Sequence, residues 1–139
     1  MRRTLADGLE LDDDPDRIDV DAVHDYLANE SYWAEGRPRQ AVERLVRKAD
    51  RVIGLYDGRR QVGFARAFTD GFTLAYLADV YVLGEYRGRG LGGAIIREMV
   101  DNGPYADLRW LLHTKDAHGL YRRYGFEEPS ERVMERSTP

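Results

Sequence analysis

"YRGRGLGG", residues 86–93, holds two overlapping glycine spacings. Gly88, Gly90 and Gly93 spell G-x-G-x-x-G, the spacing of a dinucleotide-binding loop. Arg87, Gly90 and Gly92 spell R-x-x-G-x-G. A long, largely apolar strand pattern, FTLAYLADVYVL (Phe72–Leu83), precedes the loop, and a helical pattern, LGGAIIREMVDN (Leu91–Asn102), follows it. A glycine turn between a strand and a helix N-terminus suits an anion. Backbone N–H groups point out of the turn, the helix macrodipole adds partial positive charge, and missing Cβ atoms allow close approach. The spacing therefore points to a phosphate, with a plain tight turn as the alternative, and leaves open which phosphate.

The elements around the loop narrow the choice. Upstream, DVDAVHDYLAN (Asp19–Asn29) reads as a helix, with Val20, Val23 and Leu27 on one face and Asp19 as N-cap. RQAVERLVRKA (Arg39–Ala49) is a second amphipathic helix, with Pro38 at its first turn. The period then changes from that of a helix to that of strands. RVIGLYD (Arg51–Asp57) and RQVGFARAFTD (Arg60–Asp70) are strands joined by Gly58-Arg59, and Asp70-Gly71 turns into the third strand. Downstream, LRWLLHT (Leu108–Thr114) is a strand and DAHGLYRRYGF (Asp116–Phe126) a short helix stopped by Gly125. ERVMER (Glu131–Arg136) is expected as a last strand, and the acidic LELDDDPD (Leu9–Asp16) is expected to fray or to form a short edge strand. The class is mixed α/β in a single domain over residues 1–139, with residues 1–15 partly flexible.

This order does not suit a dinucleotide fold, which opens on its glycine loop and then needs several more βα units. Here about 85 residues come before the loop and 46 follow Gly93. No acidic residue falls at a strand end about 20 positions on, where a ribose would need it. With R-x-x-G-x-G as the parse, and with GLYRRYGF (Gly119–Phe126) about 30 residues later, the sequence resembles the GNAT family, the Gcn5-related N-acetyltransferases. Ala117, Leu120, Tyr121, Gly125 and Phe126 match that family's second motif in register, and the likeness covers nearly the whole chain. It departs at Thr114, where the family often has Asn, and at Gly84, where many members have Pro.

The resemblance implies a GNAT fold: a mixed, mostly antiparallel central sheet with flanking helices. It implies acetyl-CoA as co-substrate, with the pyrophosphate on the backbone of Arg87, Gly88, Arg89, Gly90, Leu91 and Gly92, and Arg89 on the 3′-phosphate or solvated. The pantetheine arm is expected beside Asp79–Val82, touching Tyr81, with the Val82 N–H donating to the thioester oxygen and Thr114 and Ala117 completing the cofactor contacts. Tyr121 matches the general acid, packing in the core being its alternative. Two residues compete for the base. Asp79 is the only charged residue within its strand, and burial there is expected to raise its pKa; the alternative is a carboxylate tied to a neighbouring backbone or arginine. His113, near the next strand's end, is the other, since imidazole as a class titrates near neutrality. Strict alternation along the strand puts Leu77, Asp79 and Tyr81 on one face and Ala78, Val80 and Val82 on the other. By likeness, the segment NESYWAEGRPR covers the acceptor, so Glu30, Tyr32 and Trp33 are the candidate substrate contacts.

Composition removes other classes. There is no cysteine, which excludes disulfides, thiolate metal sites and an acyl-cysteine intermediate, and with three histidines no metal site is expected. The net charge of −4 does not favour nucleic acid. No apolar run reaches the roughly 18 residues of a membrane span, and the opening MRRTLADGLE lacks a signal's apolar stretch, so a cytoplasmic protein is expected. The expected activity is acetyl transfer to a primary amine of a small molecule by direct attack in a ternary complex. A non-catalytic acyl-CoA-binding module is the alternative. A homodimer stays open, since many relatives dimerise.

Overall fold

Alternating side chains along the middle of the chain demand cover on both faces of a sheet, and two apolar clusters supply it. Val52 and Phe64 point into one cluster and their neighbours Ile53 and Ala65 into the other. The computed structural model describes residues 1–138. Its sheet has six strands in sequence order: β1 (Arg2–Thr4), β2 (Glu10–Asp12), β3 (Arg51–Asp57), β4 (Arg60–Thr69), β5 (Leu74–Val82) and β6 (Arg109–Leu111). All neighbours are antiparallel except β5 and β6, which run parallel.

Helices α1 (Val20–Glu30) and α2 (Arg39–Lys48) cover one face through Val23, Leu27, Val42 and Val46. Asp19 caps α1 by accepting from the Ala22 N–H, as expected. Helix α3 (Leu91–Val100) covers the other face through Leu91, Ile95, Ile96 and Met99. Ile95 and Ile96 are fully buried, each contributing roughly 1.5–3 kcal/mol relative to exposure. Helix α4 (His118–Arg122) packs Leu120 and Tyr124, just beyond its end, against the α3 cluster. A Cβ on Gly93 would lie 2.0 Å from the Tyr124 hydroxyl, so this glycine lets α3 and the α4 segment approach.

The mixed α/β architecture holds, with differences at the edges. Of the two alternatives for Leu9–Asp16 the strand holds, but as β2 it lies inside the edge, between β1 and β3, and its acidic groups have partners: Arg17 bonds Asp12 at 2.9 Å, and Arg51 bonds Asp13 at 3.3 Å. Glu131–Arg136 is not a strand. A turn takes up two of its amides instead, with the Val133 N–H on the Ser130 carbonyl at 3.1 Å and the Arg132 N–H on Ser130 Oγ at 3.3 Å, and Met134 is exposed. Strand β6 stops at Leu111, short of the expected Thr114. Among the described residues no helix is long and apolar enough to cross a membrane.

Candidate active site

The site begins where the sheet comes apart. Strands β5 and β6 pair only over Leu74–Tyr76 and Arg109–Leu111. From Leu77 to Val82, β5 continues with no β6 partner, and its outer edge lines a cleft of about 880 Å3. In antiparallel pairing, successive residues point their backbone groups alternately toward and away from the partner strand. Leu83 donates to Val62 at 2.9 Å, so Val82, its neighbour, points its own N–H and C=O away from β4. The Val82 carbonyl accepts from Arg87 Nε at 3.1 Å, and its N–H faces the opening.

Asp79 breaks the strand's alternation. Arg66 opposes Ala78 but Phe64 opposes Tyr81, so Asp79 and Val80 share the single position opposite Ala65. This is a β-bulge, and Asp79 sits in it with φ 55°, the one left-handed non-glycine residue among those described. The extra residue corrects the expected faces. Leu77 packs with Val82 in the α3 cluster, whereas Tyr81 packs in the α1–α2 cluster. Tyr81 stacks on Tyr26, with ring centroids 4.0 Å apart, and is 4% exposed. Its side chain is core, so only its backbone is on hand for a cofactor.

The Asp79 carboxylate is also not as expected. Trp33 Nε1 donates to Oδ1 at 2.8 Å, while Arg66 Nε and Arg37 Nη1 donate to Oδ2 at 2.6 and 3.0 Å. Burial pushes its pKa up, but the Arg66 guanidinium, then Arg37 and the Trp33 bond, outweigh burial and hold the carboxyl below its ordinary range. The expected raised pKa is therefore reversed. The open alternative, an aspartate tied to arginine, is what the fold builds.

Across the cleft stands the glycine loop. Gly88 and Gly90 take φ of 82° and 73°, and α3 starts at Leu91 with no side-chain cap. The first helical bond runs from the Ala94 N–H to the Gly90 carbonyl. Among the described residues, no protein acceptor meets the N–H groups from Gly88 to Gly93. Virtual Cβ atoms on Gly88 and Gly90 meet nothing within 4 Å. An uncapped helix start with successive free donors and open space above them fits a diphosphate. The arginines are arranged differently from expectation. Arg87 turns inward, its Nη2 on the Tyr26 hydroxyl at 2.7 Å, and ties the loop to α1 and β5. Arg89 lies over the Tyr86 ring, outside the cleft lining. Arg123, which the motif did not single out, does line the cleft.

The remaining candidates gather along the same cleft. Tyr121 is half-buried, its ring edge-on to Phe126, and burial pushes its phenol up to about 12. Thr114 and Ala117 line the wall beside it, but Thr114 Oγ1 accepts from the Ala117 N–H at 3.1 Å and so holds the approach to α4. His113 stands between two groups, its Nδ1 against the Tyr76 hydroxyl and its Nε2 2.5 Å from Glu135. Glu30, Tyr32 and Trp33 close the far side. The Tyr32 hydroxyl accepts from the Lys115 N–H at 2.8 Å, which ties that side to the α4 wall.

A family model for the acetyltransferase (GNAT) domain matches residues 48–128, which include β3 to β6, the loop and Tyr121. The chain belongs to the GNAT acetyltransferases. This GNAT chain is 37% identical to a crystal structure of a candidate GNAT acetyltransferase from Xanthomonas campestris, with a TM-score of 0.88 and 94% of each chain covered. It is 31% identical to the L-methionine sulfoximine/L-methionine sulfone acetyltransferase of Pseudomonas aeruginosa, over 73% of this chain and 60% of that protein. It is 35% identical to the chloroplastic serotonin N-acetyltransferase 2 of rice, over 78% of this chain and 56% of that protein. A Clostridium acetobutylicum structure with acetyl-CoA shares the fold at 15% identity, with a TM-score of 0.70. What the motifs missed in this GNAT site is Arg37, Arg66 as an ion-pair partner, Arg123 and Glu135. Arg37, Arg66 and Glu135 come from segments outside the motifs, and Arg123, though inside GLYRRYGF, is not one of the positions that the motif specifies.

Proposed function

We propose that this GNAT protein moves the acetyl group of acetyl-CoA to the primary amine of a small molecule, by direct attack within a ternary complex. The observation that carries it is the uncapped start of α3, where Gly88 and residues 90–93, their amides without acceptors among the described residues, line the cleft that also holds Tyr121. Two relatives are named for acting on small amines, methionine sulfoximine or sulfone in one case and serotonin in the other. Acetyl-CoA supplies a thioester whose carbonyl carbon accepts the amine.

The chain's own groups then have distinct tasks. The loop amides hold the diphosphate, and the bare edge of β5 aligns the arm beside Val82. The Val82 N–H donates to the carbonyl oxygen as negative charge builds there. Tyr121 gives its proton to the departing sulfur, and its raised pKa keeps that proton in place across the neutral range. His113 takes the proton that the amine must lose. With Nε2–H donating to the Glu135 carboxylate, Nδ1 is left as acceptor for the Tyr76 hydroxyl, which lines the cleft and passes the proton on. Asp79 orients Trp33, Arg37 and Arg66. The test is thiol release from acetyl-CoA across a panel of amines. Saturable, amine-dependent release is expected. Tight acetyl-CoA binding with no release from any amine would leave a binding module.

A further inference from the structure

The wall facing the acceptor carries two guanidinium groups against one carboxylate. Arg37 and Arg66 each reach Asp79 through a single nitrogen, and both on the same oxygen. Trp33 takes the other oxygen. The remaining nitrogens of both forks have no protein acceptor among the described residues, and both side chains line the cleft. They are sheltered, 22% and 12% exposed, so water answers them only in part. A sheltered guanidinium with spare parallel N–H groups is a ready partner for a second carboxylate, bound through the fork. Asp79 already accepts three bonds, so its remaining capacity does not cover the spare nitrogens of both forks.

We propose that the acceptor is an amine with a carboxylate beside it, an α-amino acid, whose carboxylate docks on the spare nitrogens of Arg37 and Arg66. Glu30 lines the same cleft and has no protein partner among the described residues, so the wall offers both signs of charge that a zwitterion needs. Trp33 and Tyr32, edge to face with centroids 5.2 Å apart, stand on this side for the rest of the side chain. This proposal rests on the transferase reading above and narrows it to one acceptor class.

The experiment compares pairs that differ only by the carboxylate: L-methionine sulfone against 3-(methylsulfonyl)propylamine, and L-5-hydroxytryptophan against serotonin. For the wild type, kcat/KM is expected to be at least about 10-fold higher for the carboxylated member of whichever pair fits, the scale of a charge-assisted bond. In Arg37→Gln and Arg66→Gln the ratio of kcat/KM between the two members of a pair should fall toward unity, through KM for the amino acid, over and above any loss that both members share from the weakened Asp79 ion pair. Equal or higher kcat/KM for the carboxyl-free amines in the wild type overturns the proposal. So does an equal loss for both members of a pair in the variants. Calorimetry on protein saturated with coenzyme A separates the two claims. If the amino acids bind, and bind more weakly in Arg37→Gln, but neither these four compounds nor any amine of the wider panel releases thiol, the anion site stands and the transferase reading falls. If neither amino acid binds or reacts with the wild type, the acceptor proposal is overturned.

Discussion

Two pieces of left-handed backbone line the cleft, and they are made from opposite materials. The loop uses glycine at Gly88 and Gly90, and its amides from Gly88 to Gly93 have no acceptor among the described residues. The bulge uses an aspartate, and both Asp79 oxygens are spoken for by Trp33, Arg37 and Arg66. An aspartate tolerates this conformation better than most residues but still pays in strain, so packing and ion pairs must hold it there. The contrast separates two uses of unusual backbone. Free donors wait for something from outside the chain. A carboxylate bonded through both oxygens organises what is already inside.

The contrast is tested hardest by setting Tyr121→Phe against Asp79→Asn. Losing the phenol should lower kcat about 100-fold or more, the scale of a general acid, with acetyl-CoA affinity by calorimetry little changed. Wild-type turnover in that variant removes Tyr121 from the chemistry. Asp79→Asn should act first on stability, by roughly 3 kcal/mol in denaturant unfolding, because it leaves two sheltered guanidinium groups without their anion. The sign with pH follows from the lowered carboxyl pKa. The stabilisation is complete above the unfolded-chain value of about 3.9 and disappears as pH falls through the lower folded value. The stability gap between wild type and variant should therefore stay level from pH 7 to about pH 4 and close below it. A variant of unchanged stability that has lost kcat as fully as Tyr121→Phe would make Asp79 a base after all.

The loop is probed next. Gly92 has ordinary backbone, and an added Cβ would sit 3.8 Å from Leu120, so Gly92→Val should fold. It should weaken coenzyme A binding about 30-fold by crowding the amides, a loss of the order of one or two charged hydrogen bonds. Unchanged affinity would put the diphosphate elsewhere. Gly90→Val is a poorer probe, since φ 73° strains any side chain there. Gly93→Ala should instead cost about 1 kcal/mol of stability by pushing on the Tyr124 hydroxyl, with coenzyme A affinity of the folded protein nearly kept. The smallest effect is on the pH profile. A phenol held up to about 12 should give no falling limb in kcat/KM before about pH 10, and a fall near pH 8 would assign the acid to another group.

Several features were legible along the chain because they are local. The loop, the start of α3, the helix pair and the antiparallel run of strands follow from residue spacing, and Tyr121 from its place between Leu120 and Gly125. The faces of β5 were not. One inserted residue at Asp79 reverses every assignment after it, and alternation alone does not reveal an insertion. The partners of Asp79 were hidden for another reason. They lie 13, 42 and 46 residues away in sequence, and no periodicity connects them. ERVMER is expected as a strand, but strands form only against a partner edge, and the Arg132 and Val133 amides close a local turn on Ser130 instead.

By itself the sequence determined the order of elements, the anion-ready turn before Leu91 and the place of Tyr121 on the following short helix, because periodicity, glycine and helix ends act over a few residues. Tertiary structure alone decided that β5 and β6 part after Tyr76, that Tyr81 belongs to the core, and that Asp79 is a bound anion instead of a free base. Those outcomes depend on which distant charges and surfaces meet, and a carboxylate's behaviour is set by its neighbours in space.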